Sequence, residues 1–585
     1  MSQSLFEIYK KNQLQLQFNL NLKSKIDDLL ALLIITVSVL LIYNGLISGE
    51  VIASNDYASN DLLYMHVPTL YHYGLCLKSG FIMHWFPNIY CGFPAFAEGQ
   101  NGFLYFPNII LYYLFNFITA LNLYLILHSI LMGMGAYFLI KRLTKQSFTG
   151  LLGGISAALS GTLIIGHTRH LGIYAIASLS LWLILTIEKY IEDKRIINSV
   201  GIGLIIGLIG LIGHPQFAFI SVFLALLYLI LRIIFISSYG NQENIRPKIK
   251  NFLLLATISI AIAFVVSFPQ LLATSELYQF SIRTKALDES FFSMGSMNFD
   301  AILAFISPYN WGNAGNMTFQ LKDIYLFWEW FHYVGVITFI LSVIGAIWGW
   351  KKSGAVKSLV IIAIFSYLLA LGNNLGLYKL FSIFPVVGSF RFPNRWLFGT
   401  EISIIALSGF GILAMNTLIS NLITKIKKIK EKNYESKKPS INQIKYIGLI
   451  FAIMGFLDIF TIVGPHVVTA DSQIYFGENP TVKKIKEDKE WGRFYSFFHH
   501  RISAIAFHQS MGWEGEHSEY KNAVMMIPPN IGAIHDILHS DGGSSGLLPK
   551  YISEIWGDPS NMGFINKTVR LGNQDVEFSR FFHRI

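Results

Sequence analysis

Along most of the chain, apolar residues fall into runs of roughly 17 to 25, each long enough to cross about 30 Å of hydrocarbon as a helix rising 1.5 Å per residue. In lipid such runs must be helical, because nothing else satisfies their backbone. Lys10, Lys11, Lys23 and Lys25 place the N-terminus in the cytosol, where Lys/Arg-rich connections collect. A first span over about Leu29–Ser48 then leads into a segment, Gly49–Phe103, whose one basic residue is Lys78, and this segment is expected outside. Leu104–Phe117 reads as an interfacial helix and Leu121–Ile140 as a span, since two spans there would put Lys141, Arg142 and Lys145 on the wrong side. Further spans follow near Phe148–Ile165, Leu171–Ile187, Ile197–Ile212, Phe217–Ile236 and Phe252–Leu272. A second outer loop covers Thr274–Phe331; the chain re-enters at Tyr333–Trp348 and leaves again by Leu371. Leu375–Val387, short and broken by Pro385, reads as interfacial, and Trp396–Leu418 and Ile447–Val463 complete about eleven spans.

The expected fold class is therefore an all-α polytopic membrane protein, with a cytoplasmic segment at 1–28 and a bundle at 29–464 whose outer loops are 49–103 and 274–331. Residues 465–585 change character: short alternating runs with Gly/Pro turns predict a small α+β or β-rich extracytoplasmic domain. No cleavable signal is apparent, so the first helix is expected to act as its own insertion signal. The expected location is a bacterial cytoplasmic membrane, with the C-terminal domain on the far side.

Composition agrees: 53% of residues are hydrophobic and only 14% charged. The net charge of +10 would suggest nucleic acid in a soluble protein, but much of it sits in connections such as "KIKKIKEKNYESKK" at Lys425–Lys438, so the basicity is topological and no nucleic-acid partner is expected. The two cysteines, Cys76 and Cys91, share the first outer segment, which leaves two options, an extracytoplasmic disulfide or two free thiols.

Candidate chemistry concentrates in the outer loops. Asp56 and Asp61 follow closely on the first span, where a carboxylate at the membrane surface can take a proton from an acceptor hydroxyl or hold a divalent cation. Acidic residues are also common in outer loops for no chemical reason. Arg391 and Arg395 are spaced i, i+4 around Pro393 at an outer helix start that would favour an anion, although arginines at membrane edges often only snorkel. His214 and Gln216 lie at a tight outer turn, lining a cavity or capping the turn. Glu98, Gln100 and Glu329 could hydrogen-bond the hydroxyl groups of a ligand or merely tie loops together.

Several matches carry less. "GGSSG" at Gly542–Gly546 has the G-x-S-x-G form without a preceding strand and reads as a flexible loop. "HDILH" at His535–His539 spaces two imidazoles as zinc helices do, but lacks a third ligand and reads as a helix on a domain face. No P-loop or dinucleotide fingerprint is present, so no cofactor is called beyond the optional divalent cation.

Asp61 with Pro68, "FPNIYCGFPAFAEGQNGFLYFP", "GHPQ" at Gly213–Gln216, "EWFHYVG" at Glu329–Gly335, "FRFPNRW" at Phe390–Trp396 and "IPPNIGAIHDI" to "GLLPKYISEI" together resemble the bacterial YfhO-like family, in that family's order from about Leu29 to about Trp556. That family is similar to the wider GT-C class of membrane glycosyltransferases. The resemblance implies sugar transfer from a polyprenyl-phosphate donor to an envelope glycan or lipid acceptor, inverting the anomeric centre. It also implies a catalytic Asp in the first outer loop, with Asp61 the better match and Asp56 in reserve. The family pattern continues through a longer outer domain and a final helix, and the sequence departs from it by stopping at Ile585. Two rival readings are a transporter or flippase for a lipid-linked sugar, which predicts mid-membrane charges and an inverted repeat, and a non-catalytic assembly protein.

Overall fold

A computed structural model describes residues 24–53, 61–237, 245–281, 293–313, 316, 318–319, 327–381, 390–430, 441–488, 492–495, 524–528, 530–542 and 547–552. Asp56, most of "GGSSG", the centre of the Lys425–Lys438 connection and most of the C-terminal sequence runs fall outside those residues.

The chain is an all-α polytopic membrane bundle. Its long helices are α1 (24–42), α2 (Phe117–Thr144), α3 (Thr149–Ala158), α4 (Leu171–Asp193), α5 (Ile196–Ile212), α6 (Pro215–Ser237), α7 (Ile245–Gln279), α8 (Val336–Gly349), α9 (Gly354–Ala370), α10 (Leu397–Lys430) and α11 (Ile441–Val463). Among the described residues, seven helical stretches are long and apolar enough to cross a membrane, those containing α2, α3, α4, α6, α7, α10 and α11. Helices α5, α8 and α9 are apolar but shorter than that length, and α1 carries Lys25, Asp27 and Asp28 at its start.

Close helix approach comes from small residues, as expected where lipid removes the hydrophobic drive for association. Side chains placed on Gly345 of α8 and Gly411 of α10 would each collide with the other helix's backbone. The burial gradient is uneven: α3 and α4 are enclosed almost completely, while α7 is largely exposed along its apolar length, as suits a lipid-facing helix. The predicted interfacial helix is present as Phe106–Leu114, with Phe106, Tyr113 and Leu114 exposed.

The first loop and the segment beyond Gly464 form one layer at one end of the bundle. Strand β1 (Val51–Ile52) pairs antiparallel with β2 (Thr469–Ala470). Asn122 of α2 donates to the carbonyls of Leu46 at 3.0 Å and Glu50 at 2.7 Å, tying this pairing to the bundle. Further along, His72 Nε2 donates to Ala533 O at 2.7 Å, the His539 amide to Asn88 O at 2.7 Å, the Tyr90 amide to Asp541 O at 3.0 Å and Tyr551 Oη to Gly92 O at 3.0 Å.

Two expectations change here. "HDILH" does not run as a helix: a 3-10 turn covers Ile531–His535 and Asp536 adopts left-handed backbone with φ of 61°, so the two imidazoles are not stacked on one face. His539 Nδ1 instead meets Asp541 Oδ1 at 3.0 Å. Of the two cysteine options, the structure has free thiols, Cys76 half-buried and Cys91 exposed.

The shared layer predicts a topology. In membrane vesicles, a membrane-impermeant thiol reagent applied from outside labels native Cys91 and an introduced cysteine at Glu487, while Lys351→Cys is labelled only from the cytosolic side; protection of Glu487→Cys would separate the two halves of the layer.

Candidate functional site

Asp61 opens the helical stretch that follows the first strand. It precedes a π-turn, Leu62–His66, which runs into the helix Val67–Lys78 with Pro68 in its first turn, where a missing amide costs no hydrogen bond. The Asp61 side chain is one-third exposed, and its Oδ2 lies 3.7 Å from Nδ1 of His170. His66, buried at the far end of the π-turn, pairs through Nδ1 with Asn101 Oδ1 at 2.9 Å, which brings the 98–102 turn alongside.

His170 belongs to the connection between α3 and α4. That connection includes a second π-turn, Thr162–Gly166, followed by the buried run His167, Thr168 and Arg169. The Arg169 guanidinium stacks over Trp328 at 4.0 Å, a cation–π contact worth most when desolvated. π-turns wedge an extra residue into a helix and so re-aim the side chains beside them. Here one re-aims Asp61 and the other His167, and the two connections face each other.

Next to them is a buried polar cluster built from three further segments. Arg395 sits in a 3-10 turn, Pro393–Trp396, at the start of α10, and Glu329 in the short helix Phe327–Trp330. Arg395 donates to Glu329 Oε1 from Nη2 at 2.7 Å and from Nε at 3.2 Å, and its Nη1 donates to Gln216 Oε1 at 3.0 Å. Asn394 Nδ2 donates to both the carbonyl and Oε2 of Glu329 at 2.8 Å. Gln216 Nε2 in turn donates to the carbonyls of Arg391 and Phe392, which fixes the approach to the turn. Phe392 holds φ of 64°, unusual for an aromatic residue, and its ring lies 4.8 Å from Arg395 Cζ and 4.9 Å from Arg391 Cζ.

His214 closes the gap between cluster and loop. Its Nδ1 accepts the Phe217 amide at 3.2 Å, capping α6, and its Nε2 lies 3.5 Å from Arg395 Nη1. The residue before it, Gly213, has φ of 93° and no room for a side chain, because a Cβ would collide with the Gly99 carbonyl. That contact presses the 98–100 turn onto the start of α6. Glu98 is buried there and accepts the Gln100 amide at 3.0 Å.

The structure thus brings Asp61, Gln100, His214, Gln216, Glu329 and Arg395 to one end of the bundle, with Glu98 beneath the adjoining turn. Arg391 differs, its half-buried guanidinium lying on the Phe392 ring. His167, Arg169, His170 and Asn394 are additions that sequence reasoning passed over. A signal existed: "GHTRH" places an arginine and two histidines between two apolar runs on the side where basic residues are scarce.

Electrostatics separate the groups by role. Burial alone would raise the Glu329 carboxyl, yet the Arg395 guanidinium and the neighbouring imidazoles hold it well below the usual carboxylate range. Burial pushes the imidazoles of His167 and His170 down to about 3, Asp61 opposing this at His170, and holds His214 well below the usual imidazole range with Arg395 adding to the effect. The imidazoles are therefore neutral at pH 7. Glu98 is raised by burial to about 7, tempered by its bond from the Gln100 amide. Among the described residues, no three His, Cys, Asp or Glu side chains group closely enough to hold a metal ion.

Two measurements follow from this geometry. Breaking the buried pair with Glu329→Gln or Arg395→Met should each cost about 3–5 kcal/mol by leaving an uncompensated polar partner, and the double change should cost less than the sum, read from unfolding midpoints in detergent. Glu98 binds its proton more tightly folded than unfolded, so its contribution is present below pH 4.5 and lost as pH rises to about 7. Glu98→Gln should flatten that part of the stability profile, whereas the depressed imidazoles lower stability as pH falls below 6.5 in both proteins.

No protein-family profile matches the chain, and no curated protein matches its sequence. Among solved structures, the chain is similar to the oligosaccharyltransferase AglB from Archaeoglobus fulgidus, solved with an inhibitory peptide and a dolichol-phosphate, at 11% identity and a TM-score of 0.46 over 88% of this chain and 64% of that one. It is also similar to the arabinofuranosyltransferase AftD from Mycobacteria, at 11% identity and TM-score 0.47 over 79% of this chain and 29% of that one. A third is ArnT from Cupriavidus metallidurans bound to undecaprenyl phosphate, at 9% identity and TM-score 0.44 over 85% and 88%. The chain spans less than two-thirds of the length of the first two.

Proposed function

We propose that this protein is a membrane glycosyltransferase of the GT-C kind, moving a sugar from a polyprenyl-phosphate donor to a cell-envelope acceptor on the outer face. One observation carries the reading: a partly exposed carboxylate, Asp61, stands 3.7 Å from a neutral imidazole and beside a buried arginine cluster assembled from chain-distant outer loops. A donor carried by lipid suits that face, since it arrives along the membrane and needs no soluble nucleotide site.

In this reading Asp61 accepts the proton of the acceptor hydroxyl, with Asp56 assisting. The acceptor oxygen attacks the anomeric carbon, the bond from that carbon to the phosphate oxygen breaks, and displacement from the opposite face inverts the centre. The electron pair leaves with the phosphate. Arg391, more accessible than its neighbour, meets that anion first, and Arg395 donates hydrogen bonds from within while Glu329 fixes its plane. His170 orients the Asp61 carboxylate, and Gln100, His214, Gln216 and Glu98 line the approach for the sugar. No step is routed through a metal.

The test is transfer in proteoliposomes from a synthetic polyprenyl-phosphate sugar. Asp61→Asn keeps the shape and removes the base, and should lower the rate by about 10²- to 10⁴-fold with the protein still folded. Undiminished transfer by Asp61→Asn would end the assignment.

A further inference from the structure

Below the Glu329–Arg395 pair lies a carboxylate that glycosyl transfer does not use. Glu401 is on α10, eight residues beyond Pro393, which sets it roughly 12 Å into its span at 1.5 Å per residue. It is fully buried, and neither of its oxygens has a hydrogen-bond partner among the described residues. A bare carboxylate in such a place is costly and marks a functional site with a partner to be named.

The nearest titratable group is His332, whose Nδ1 lies 4.0 Å from Glu401 Oε2. Nε2 lies 3.1 Å from the Glu329 carbonyl, which can only accept, so Nε2 carries a hydrogen. Nδ1 lies 2.9 Å from the Thr162 hydroxyl. Both ring nitrogens are thus engaged by other groups, and neither is hydrogen-bonded to Glu401. Glu329 and Arg395 neutralise each other nearby, and His128, one turn before the void-lining Met132, is turned to Tyr105 and Tyr124.

Glu401 lines a narrow void together with Ser160, Thr162 and His167, too tight to seat a water molecule. Ser160 Oγ accepts one amide, from Leu163 at 3.2 Å, and His167 Nδ1 has no hydrogen-bond partner among the described residues. Two carboxylate oxygens, two hydroxyl oxygens and an imidazole nitrogen therefore border a space closed to water.

From this donor set we infer that the void is a binding site for a small dehydrated monovalent cation of the sodium class. Hard oxygen donors select such ions over transition metals. Magnesium would keep several waters and calcium would take six to eight oxygens, and this space supplies neither. The ion supplies the partner that the Glu401 oxygens lack and clamps α10 to the π-turn at Thr162–Gly166, directly beneath the outer cluster. The inference stands apart from the glycosyl-transfer reading and is tested without any assay of transfer.

The experiment follows thermal unfolding of the full chain in detergent as sodium chloride replaces choline chloride at constant ionic strength. A midpoint that rises and saturates with sodium is expected, with a smaller response to potassium and none to sodium in Glu401→Gln. Ser160→Ala, a milder change, should raise the half-saturating sodium concentration by about tenfold or more. Equal midpoints in sodium and choline, equal responses to sodium and potassium, or a sodium response that survives in both variants would overturn the proposal.

Discussion

The polar end of this molecule depends on one buried ion pair. Arg395 and Glu329 come from different loops, one at the start of α10 and the other at the end of the second outer segment, and neither could be buried alone. Their bond is directional: the guanidinium meets one carboxylate oxygen through two nitrogens, Asn394 holds the other oxygen, and Gln216 takes the remaining donor. Three outer connections are thereby fixed relative to one another. The pair leaves no net charge, so the unpaired carboxylate of the first loop, Asp61, becomes the accessible acidic group beside it.

Asp61 and His167 reach this region by related backbone devices. A π-turn precedes the proline-containing helix of the first loop, and another ends the run that begins with α3. Glycines flank the second of these turns, where a side chain on Gly161 would collide with the Phe331 ring and one on Gly166 would press on the Trp328 carbonyl. The bundle of apolar helices holds its connections in register, and those connections carry the ionisable side chains that meet around Asp61 and Arg395.

The layer formed by the first loop and the segment after Gly464 completes that arrangement. β1 and β2 contribute only two residues each, so their pairing is sustained by neighbours: Asn122 gripping the Leu46 and Glu50 carbonyls from α2, and the Thr469 hydroxyl on the Glu50 carboxylate. Parts of the chain more than 400 residues apart meet there.

The sequence by itself determined the helices, because apolar runs of span length have one way to satisfy their backbone in lipid, and its lysines and arginines supplied an expected orientation. It also carried Glu329, Arg395, Gln216 and His214 as polar residues at outer turns, where polar side chains stand out against apolar spans. It could not say that Arg395 would choose Glu329, since their partnership depends on how far each loop folds back over the bundle. Nor did it mark Glu401, one acidic residue inside a long apolar helix, or the π-turns, which have no residue signature. "HDILH" shows the opposite failure: its spacing suits a helix, but backbone contacts to the first loop close it into a left-handed turn. Spacing fixes what one element can present; which elements face each other is settled by packing between segments far apart in the chain.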